Sequence, residues 1–343
     1  MIPSLNLYRG KHLLSAKSFG MKDYEAIFRA TERMQQQCLN SRNRRALRRM
    51  LVRDGEPLEF ELHTDASTRT VTSFRVAIRN LGGHATWMPI GFSGRAKGES
   101  SWSMARIIGP HCACIIVRDD TDINAALEWA DGIEHDGLET RIINAGCGTG
   151  EHPTQTLIDF YPLWKFRKKD LSAGTLTIAM VGDLSGSRTM HSFLHGIQRF
   201  GGTVFLIGPE EERVPQDIIS ELDNRKLTLN RVTKMRDLLD IAPQVDFWYW
   251  TRWQGNLRPD TPPDVKLKQE QTYAKEFGVT EQLRKRMNPD ARVLHPLPFG
   301  LEYQFENRRG PDLFDPDRFI HVWQARMGVP IRMALLEKLF AKQ

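Results

Sequence analysis

The chain has 343 residues, 40% of them apolar, and its 48 basic and 42 acidic side chains leave a formal charge of +6. At roughly 150 residues per domain, this length predicts two domains that can each bury a core. The modest basic excess favours anionic ligands without indicating nucleic acid. Apolar runs such as Phe247 to Trp250 are far shorter than the roughly 18 to 20 residues of a membrane span, so no transmembrane segment is expected. The continuous apolar stretch of a signal peptide is missing from MIPSLNLYRGKHLLS, which favours a cytoplasmic protein.

The cysteines match neither a disulfide framework nor a pair of CxxC zinc hooks, so we interpret them as reduced thiols. They are Cys38, Cys112, Cys114 and Cys147. Cys112 and Cys114 lie in an apolar stretch and supply only half of a tetrahedral zinc site. Buried packing is therefore the favoured interpretation, and no metal is expected.

In the first half of the chain, Asp23 to Cys38 has the periodicity of an amphipathic helix. A second helical pattern, Val71 to Leu81, is closed by a pair of glycines. A third helix is predicted with its cap near Asp120 or Thr121 and its body running through Trp129. The strands predicted here are Leu58–Leu62, Cys112–Val117 and Arg141–Ala145.

The second half alternates strands with helices. The predicted strands are Leu176–Gly182, Thr203–Ile207, Val245–Trp250 and Arg292–His295, and the helices between them include Arg188–Phe200 and Thr280–Met287. Such alternation predicts α/β units with a parallel sheet. In these sheets ligands bind beyond the carboxyl ends of the strands, so the residues after each strand are the candidates for function.

The segment Ser67-Thr68-Arg69-Thr70 follows a predicted strand and lies at a predicted helix N-terminus. Free backbone N–H groups, the helix dipole, hydroxyl donors and a guanidinium there are suited to a phosphate. The alternative is an ordinary Ser/Thr N-cap, which the local pattern by itself favours.

Cationic and amide side chains follow the other strands too. They are Arg118, His152, Gln155, Arg188, Arg252 and Gln254, and the last strand leads into His295-Pro296-Leu297-Pro298. Each could be incidental, since a histidine such as His152 before a helix is more often structural. No Walker sequence or GxGxxG fingerprint is present. Taken together, the donors predict a site for a multiply anionic small molecule.

The chain carries, in this order, STRT, SFRVAIRNLGG, SGRAKGES, HPTQT, VGDLSGSRTMHS, TRWQ and HPLP. It thereby resembles the aspartate carbamoyltransferases from about Leu13 to the C-terminal WQARMGVPIRMALLEKL. The ornithine carbamoyltransferases share STRT, but their acceptor-binding motif is absent. The resemblance implies two doubly wound α/β domains, each with a central, mostly parallel sheet flanked by helices. Residues 1–151, completed by a C-terminal helix at 322–343, would bind carbamoyl phosphate, and residues 152–321 would bind the amino acid.

The resemblance also implies a homotrimer with shared active sites and no cofactor. Ser67, Thr68, Arg69, Thr70 and Arg118 would hold the phosphate, with Ser93 and Lys97 reaching in from a neighbouring subunit. Thr70, Arg118 and His152 would bond the carbonyl oxygen, and Gln155 with the carbonyls of Pro296 and Leu297 would receive the carbamoyl NH2. Arg188, Arg252 and Gln254 would hold the two carboxylates of aspartate. His152 is expected to be neutral, because adjacent arginines disfavour a further positive charge.

The sequence departs from the family pattern at several positions. Asp65-Ala66 stands where the family has Glu-Pro, Ala96 where it has a second lysine, and Asp119-Asp120 where it has His-Pro. Phe299 stands where the family has Arg, and Gly255-Asn256 where it has a Lys-Glu pair. The acceptor could therefore be another amino acid or amine, and Phe299 either suits such an acceptor or packs against a neighbouring loop. A third alternative is a catalytically impaired assembly partner. Retention of Arg69, Lys97, Arg118, His152 and Gln155 counts against it.

The segment Arg42 to Arg53 contains six arginines. A solvated helix face is the favoured interpretation, and docking of an acidic partner or nucleic acid is the alternative. Aromatic residues are not interleaved with these arginines, so base stacking is not indicated and nucleic acid is not the expected partner.

Overall fold

The computed structural model describes residues 12–65, 67–167, 171, 174–223, 225–254, 260–303 and 315–340. In these ranges no helix combines the length and apolar character that crossing a membrane requires. The chain divides into two compact units: unit 1 comprises Met1–Leu157 and Met327–Gln343, and unit 2 comprises Ile158–Arg326.

The described strands are β1 (Val52–Arg53), β2 (Glu56–Pro57), β3 (Glu59–Thr64), β4 (His84–Pro89), β5 (Cys114–Asp119), β6 (Arg141–Cys147), β7 (Thr177–Val181), β8 (Gly202–Ile207), β9 (Leu227–Val232), β10 (Phe247–Trp250) and β11 (Arg292–Leu294). The described α-helices are α1 (Met21–Leu39), α2 (Ser41–Leu47), α3 (Thr68–Leu81), α4 (Ser101–Ile108), α5 (Ala125–His135), α6 (Pro153–Phe166), α7 (Arg188–Ile197), α8 (Gln216–Ser220), α9 (Met235–Ile241), α10 (Pro263–Phe277), α11 (Glu281–Arg286), α12 (His321–Arg326) and α13 (Gly328–Phe340).

Unit 1 is built on a four-stranded parallel sheet in the order β4-β3-β5-β6. Strands β3, β5 and β6 are rich in buried apolar residues because helices cover a parallel sheet on both faces. The C-terminal helix α13 returns to this unit and packs against α1 and α3. A short antiparallel pair, β1 and β2, lies outside the main sheet.

Unit 2 has a five-stranded parallel sheet in the order β11-β10-β7-β8-β9. All four residues of β10 are buried, and its Trp248 and Trp250 rings stack with centroids 4.9 Å apart. These tryptophans belong to a core with helix α10, including Tyr273 and Phe277. The predicted fold class, two doubly wound α/β units with parallel sheets and flanking helices, is confirmed.

The structure differs from the predicted elements in detail. Strand β5 continues to Asp119, so Arg118 lies within the strand, because parallel pairing with β3 extends to Thr64 opposite Arg118. Helix α5 begins later than predicted, at Ala125, because the Asp119 carboxylate accepts the N–H of Thr121 at 2.9 Å and forms a turn before the helix. Strands β4 and β9 were not among the predicted strands; both lie at sheet edges and expose several residues, so neither has a long apolar run.

Candidate active site

In unit 1, the strand order reverses between β3 and β5. From β3 the chain passes to β4 on one side of it and then to β5 on the other, which makes the β3–β5 edge a topological switch point. In open α/β sheets, ligands bind at the carboxyl ends of the strands at such a point. Ser67 to Thr70 follow β3, and Arg118 lies near the end of β5, so both predicted phosphate-binding sets lie at the switch point.

Helix α3 begins with the STRT segment as predicted. Ser67 is its N-cap residue but its side chain forms no capping hydrogen bond, so the purely structural interpretation of this serine is not the one observed. Thr68 and Arg69 are exposed, whereas Thr70 is buried and its Oγ1 accepts a hydrogen bond from Nη1 of Arg118 at 3.4 Å. The helix ends at Gly82, whose φ of 92° is the left-handed conformation that glycine adopts readily. The first turn of α3 therefore has no side-chain cap, and it exposes Thr68 and the Arg69 side chain.

Arg118 is paired with a carboxylate from the turn that follows its strand. Its Nε lies 3.3 Å from Oδ1 of Asp120, and its Nη2 lies 3.4 Å from Oδ2. The backbone N–H of Asp120 in turn donates to the Asp65 carboxylate at 2.6 Å. Burial raises the pKa of that Asp65 carboxyl above its ordinary value. The departure at Asp120 thus adds an acid beside the guanidinium expected to bind phosphate, whereas Asp65 keeps the acidic character of the family's Glu. Ala66 lies outside the described residues.

His152 lies after β6, the strand next to β5, and directly precedes helix α6. Its side chain is buried, and its Nδ1 is 3.4 Å from Oγ1 of Thr154. The His152 carbonyl accepts the N–H of Gln155 at 2.9 Å, which holds the half-buried Gln155 in the first turn of the helix. Both predicted residues therefore lie at the same edge of the sheet as Arg118.

Ser93 and Lys97 lie on the segment after β4. Ser93 is buried and caps the short 3-10 helix that contains Lys97, which is exposed together with Ala96. Between them, Arg95 binds the loop after β5 through Asp122 at 2.7 Å and approaches Asp119 at 3.5 Å. These two ion pairs hold the Lys97 segment against the end of β5 and the turn that follows Arg118.

In unit 2, the strand order reverses between β7 and β10, the strands that precede Arg188 and Arg252. Arg188 is buried at the first position of α7, and Arg252 and Gln254 are half-buried just after β10. The two strand ends approach closely: a methyl group added at Gly182 would lie 2.4 Å from Oγ1 of Thr251, and its φ of 142° also requires glycine.

The buried Asp183 links these two strand ends, a role that its place in VGDLSGSR did not reveal. Its carboxylate accepts the N–H of Gly186, in the turn before Arg188, at 2.8 Å. It also accepts the N–H of Gln254, from the loop after β10, at 2.8 Å. Asp183 therefore fixes both loops that carry the predicted carboxylate-binding side chains.

The HPLP turn after β11 is held by buried polar groups. The N–H of Leu297 donates to Nδ1 of His295 at 2.8 Å, so the other ring nitrogen carries the proton that bonds Glu302 at 3.1 Å. Glu302 also accepts the N–H of Gly300 at 2.8 Å. A methyl group added at Gly300 would lie 3.1 Å from Cβ of Arg252, so the turn and Arg252 are neighbours. Glu302 lies seven residues beyond His295, with no local pattern that predicted the pair.

Phe299 packs within its own unit. Its ring centroid lies 4.9 Å from that of His295, 4.5 Å from that of Tyr303 and 4.7 Å from that of His321. Of the two interpretations of this departure, packing is the one with contacts in the structure. The Gly255-Asn256 departure lies outside the described residues.

A second buried network supports the same turn. Oε1 of Gln324 accepts the N–H of His295 at 3.0 Å, and the Gln324 amide donates to Asp159 at 2.6 Å. The hydroxyl of Tyr249 donates to the other oxygen of Asp159 at 2.7 Å. Burial, and then the charge of Asp159, raises the pKa of Tyr249 well above its ordinary value, so the phenol stays a donor at neutral pH.

Replacing Asp159 by alanine is expected to lower the free energy of unfolding by about 2 to 4 kcal/mol, because two buried donors lose their acceptor. Urea unfolding followed by circular dichroism measures this change. The exposed Asp240→Ala variant is the control and is expected to stay within about 0.5 kcal/mol of the unmodified protein. Equal stability of D159A and D240A would contradict the prediction.

Two family models together match most of the chain. The model described as aspartate/ornithine carbamoyltransferase, carbamoyl-P binding domain, matches residues 11–165, and the Asp/Orn binding domain of the same family matches residues 174–339. The chain belongs to this family. It is accordingly a carbamoyltransferase, as the resemblance predicts.

Relatives in this family are similar over almost their whole length. The aspartate carbamoyltransferase catalytic subunit of Methanosarcina mazei is 31% identical, with 96% of this chain and 97% of the relative covered. That of Methanothrix thermoacetophila is 29% identical, with 97% and 99% covered. Among solved structures, Trypanosoma cruzi aspartate transcarbamoylase in complex with N-(phosphonacetyl)-L-aspartic acid has a TM-score of 0.79 at 25% identity and 99% coverage of both chains. The catalytic subunit of M. jannaschii aspartate transcarbamoylase has a TM-score of 0.75 at 28% identity, with 96% of this chain and 97% of that chain covered.

The arginine-rich segment is exposed, as a solvated face requires. Arg42, Arg44, Arg45, Arg48, Arg49 and Arg53 are all exposed, and the leucines that anchor the segment, Leu47 and Leu51, are buried. Helix α2 accounts for only part of it, because the chain turns after Leu47 and enters β1. The alternative of an acidic or nucleic-acid partner stays a hypothesis.

Proposed function

We propose that the protein transfers the carbamoyl group of carbamoyl phosphate to the amino group of L-aspartate, giving N-carbamoyl-L-aspartate and phosphate, an early step of pyrimidine synthesis in the cytoplasm. The observation that carries the proposal is that each sheet has a cationic set at its own switch point. Arg69 and Arg118 form the set in unit 1, and Arg188 and Arg252 form the set in unit 2. The similarity to aspartate enzymes over 96% or more of the chain supports aspartate as the acceptor.

The reaction needs positioning and charge stabilisation. The aspartate amine attacks the carbamoyl carbon and the new N–C bond forms. The bond between the carbamoyl carbon and the bridging phosphate oxygen then breaks, with its electron pair leaving on the phosphate. Negative charge develops on the carbonyl oxygen, where Thr70, Arg118 and His152 donate hydrogen bonds. The leaving phosphate takes the amine proton. Holding both reactants in reactive geometry can contribute about 7 to 11 kcal/mol to lowering the barrier.

The remaining residues orient the two substrates. Ser67, Thr68 and Arg69 hold the phosphate at the N-terminus of α3, where free N–H groups and the dipole favour an anion. The carbamoyl NH2 donates to Gln155 and to the carbonyls of Pro296 and Leu297. Arg188, Arg252 and Gln254 bind the two carboxylates of aspartate, since guanidinium groups match carboxylates in charge and shape.

The test supplies carbamoyl phosphate with a panel of amines and follows both phosphate release and the carbamoylated product. Product with aspartate at the highest kcat/KM supports the proposal. Product with another amine at higher kcat/KM assigns a different acceptor. Phosphate release that no amine accelerates, with no carbamoylated product, would overturn the transferase activity.

The proposal includes a homotrimer in which Ser93 and Lys97 act in the site of a neighbouring subunit. Mixing two inactive variants, H152A and K97A, tests this sharing. If subunits exchange at random in equal amounts, about a quarter of the sites combine an intact His152 with an intact Lys97 from the neighbour, so about a quarter of the activity returns. Light scattering checks the trimer mass, and no recovered activity in mixed trimers would contradict the shared site.

Asp120 is expected to weaken binding of carbamoyl phosphate, because its carboxylate pairs with Arg118 at 3.3 Å. Asp120→Asn removes the competing charge, and since the pair is partly exposed, KM for carbamoyl phosphate is expected to fall only about 2- to 5-fold. Steady-state kinetics at saturating aspartate measures the change. The exposed Asp131→Asn variant controls for net charge, and a KM that rises in D120N would show that Asp120 holds Arg118 in its productive position.

A further inference from the structure

Helix α13 places a cation inside unit 1 that the proposed reaction does not use. The Arg332 side chain is 3% exposed, and its guanidinium lies over the Phe74 ring at 4.6 Å from the centroid. Among the described residues no carboxylate forms an ion pair with it, and its Nε has no hydrogen-bond partner. A buried charge without a counter-ion is unfavourable, so a folded protein that keeps one invites a functional explanation.

The Arg332 guanidinium is connected to the phosphate-binding segment by one hydroxyl group. Its Nη1 donates to Oγ of Ser73 at 2.5 Å. The Ser73 hydroxyl in turn bonds the carbonyl oxygens of Arg69 and Thr70, the second of them at 3.1 Å. Arg332 is thus linked, by two successive hydrogen bonds through the Ser73 hydroxyl, to the backbone of two residues proposed to hold the phosphate.

The charged and dipolar groups near Arg332 are mainly positive. The N-terminus of α3 is the positive end of the helix dipole, and burial, followed by the charge of Arg118, lowers the pKa of Arg332 to about 9. The side chain therefore keeps its charge at pH 7. Arg118 has the Asp120 carboxylate as a partner, whereas the described residues supply no carboxylate for Arg332. A dianion at the start of α3 would neutralise this excess.

We propose that Arg332 is a positioning residue for the phosphate of carbamoyl phosphate, a fixed cation behind α3 whose charge is balanced when the phosphate binds and whose bond to Ser73 sets the first turn of that helix. This inference rests on the proposed function. Arg332 would act on the bound phosphate through its bond to Ser73 and through the electric field of its positive charge. A positioning role differs from a purely structural role in the direction of the effect that removing Arg332 has on stability. Removing an unpaired buried charge relieves the ligand-free protein, while it weakens the phosphate complex.

The experiment compares Arg332→Met, which keeps the length of the side chain but not the charge, with Arg332→Lys, which keeps the charge. Binding of inorganic phosphate and of carbamoyl phosphate is measured by calorimetry, and thermal unfolding is measured with and without phosphate. We expect R332M to bind both anions at least about tenfold more weakly, R332K to recover most of that affinity, and R332M without ligand to unfold at the same or a higher temperature. Lys338→Met removes a positive charge from the exposed side of the same helix and is expected to bind within about twofold of the unmodified protein.

Ser73→Ala tests the same link without altering the charge. It leaves Arg332 in place but removes the hydroxyl, so we expect weaker phosphate binding even where R332M fails to fold. Anion binding by R332M equal to that of the unmodified protein would overturn the inference, as would unaltered binding by S73A if R332M does not fold. An unmodified protein that binds neither phosphate nor carbamoyl phosphate would overturn the proposed function as well, which distinguishes the two failures.

Discussion

Replacing His152 by alanine is expected to lower kcat about 100- to 1000-fold while KM for carbamoyl phosphate changes little. The reason is that His152 donates to an oxygen whose negative charge develops in the transition state, and loss of one such donor has this magnitude. An interaction made mainly in the transition state appears in kcat, whereas uniform binding appears in KM. The buried His152 lies at the start of α6, at the same sheet edge as Arg118, where a donor to that oxygen is required.

Steady-state kinetics with both substrates varied measures the separation of kcat from KM. The control is His111→Ala, which makes the same substitution at an exposed histidine and is expected to leave kcat unchanged. An H152A variant with an unchanged turnover number would remove His152 from the mechanism. A variant that loses affinity and keeps kcat would assign it to ground-state binding.

Replacing Arg188 by methionine is expected to raise KM for aspartate about 10- to 100-fold and to leave binding of carbamoyl phosphate unchanged. A charge-assisted hydrogen bond to a carboxylate contributes about 1.5 to 3 kcal/mol, which corresponds to this range. Arg188 is buried at the first position of α7, where the helix dipole also favours an anion, and the Ser187 side chain does not cap the helix. Methionine preserves much of the apolar stem, so packing is disturbed less than by alanine.

The control for this variant is Arg199→Met, which removes an exposed arginine just beyond the end of the same helix. Aspartate saturation curves at fixed carbamoyl phosphate separate the two variants. Equal aspartate KM values in R188M and R199M would contradict the assignment of Arg188. A shift in the preferred amine of R188M, without loss of rate, would show that Arg188 selects among acceptors.

The departures from the family pattern fall mainly around the phosphate end of the described structure. Asp120 brings an acidic group to Arg118, and Arg332 supplies a buried cation close to the same segment. The affinity for carbamoyl phosphate therefore depends on opposing charges, which the Asp120 and Arg332 variants shift in opposite directions. At the acceptor end, the Phe299 ring packs against the rings of His295, Tyr303 and His321.

The sequence by itself determined the fold class and the segments that carry the chemistry. Apolar runs such as those of β5 and β10 mark buried parallel strands, and the residues that follow parallel strands meet at one edge of the sheet. The STRT segment at the start of α3 and Arg188 at the start of α7 were predictable for that reason.

Only the tertiary structure decided which side chains support these segments. Arg332 reaches Ser73 across 259 positions of the chain, and Gln324 reaches Asp159 across 165. Asp183 shows the same limit: its partner Gln254 lies 71 positions away, and no local pattern marks the pair. Periodicity records which face of an element is buried, but not what that face meets, because the partner is set by how distant elements pack. The electrostatic balance at the phosphate end therefore emerges only when the chain is folded.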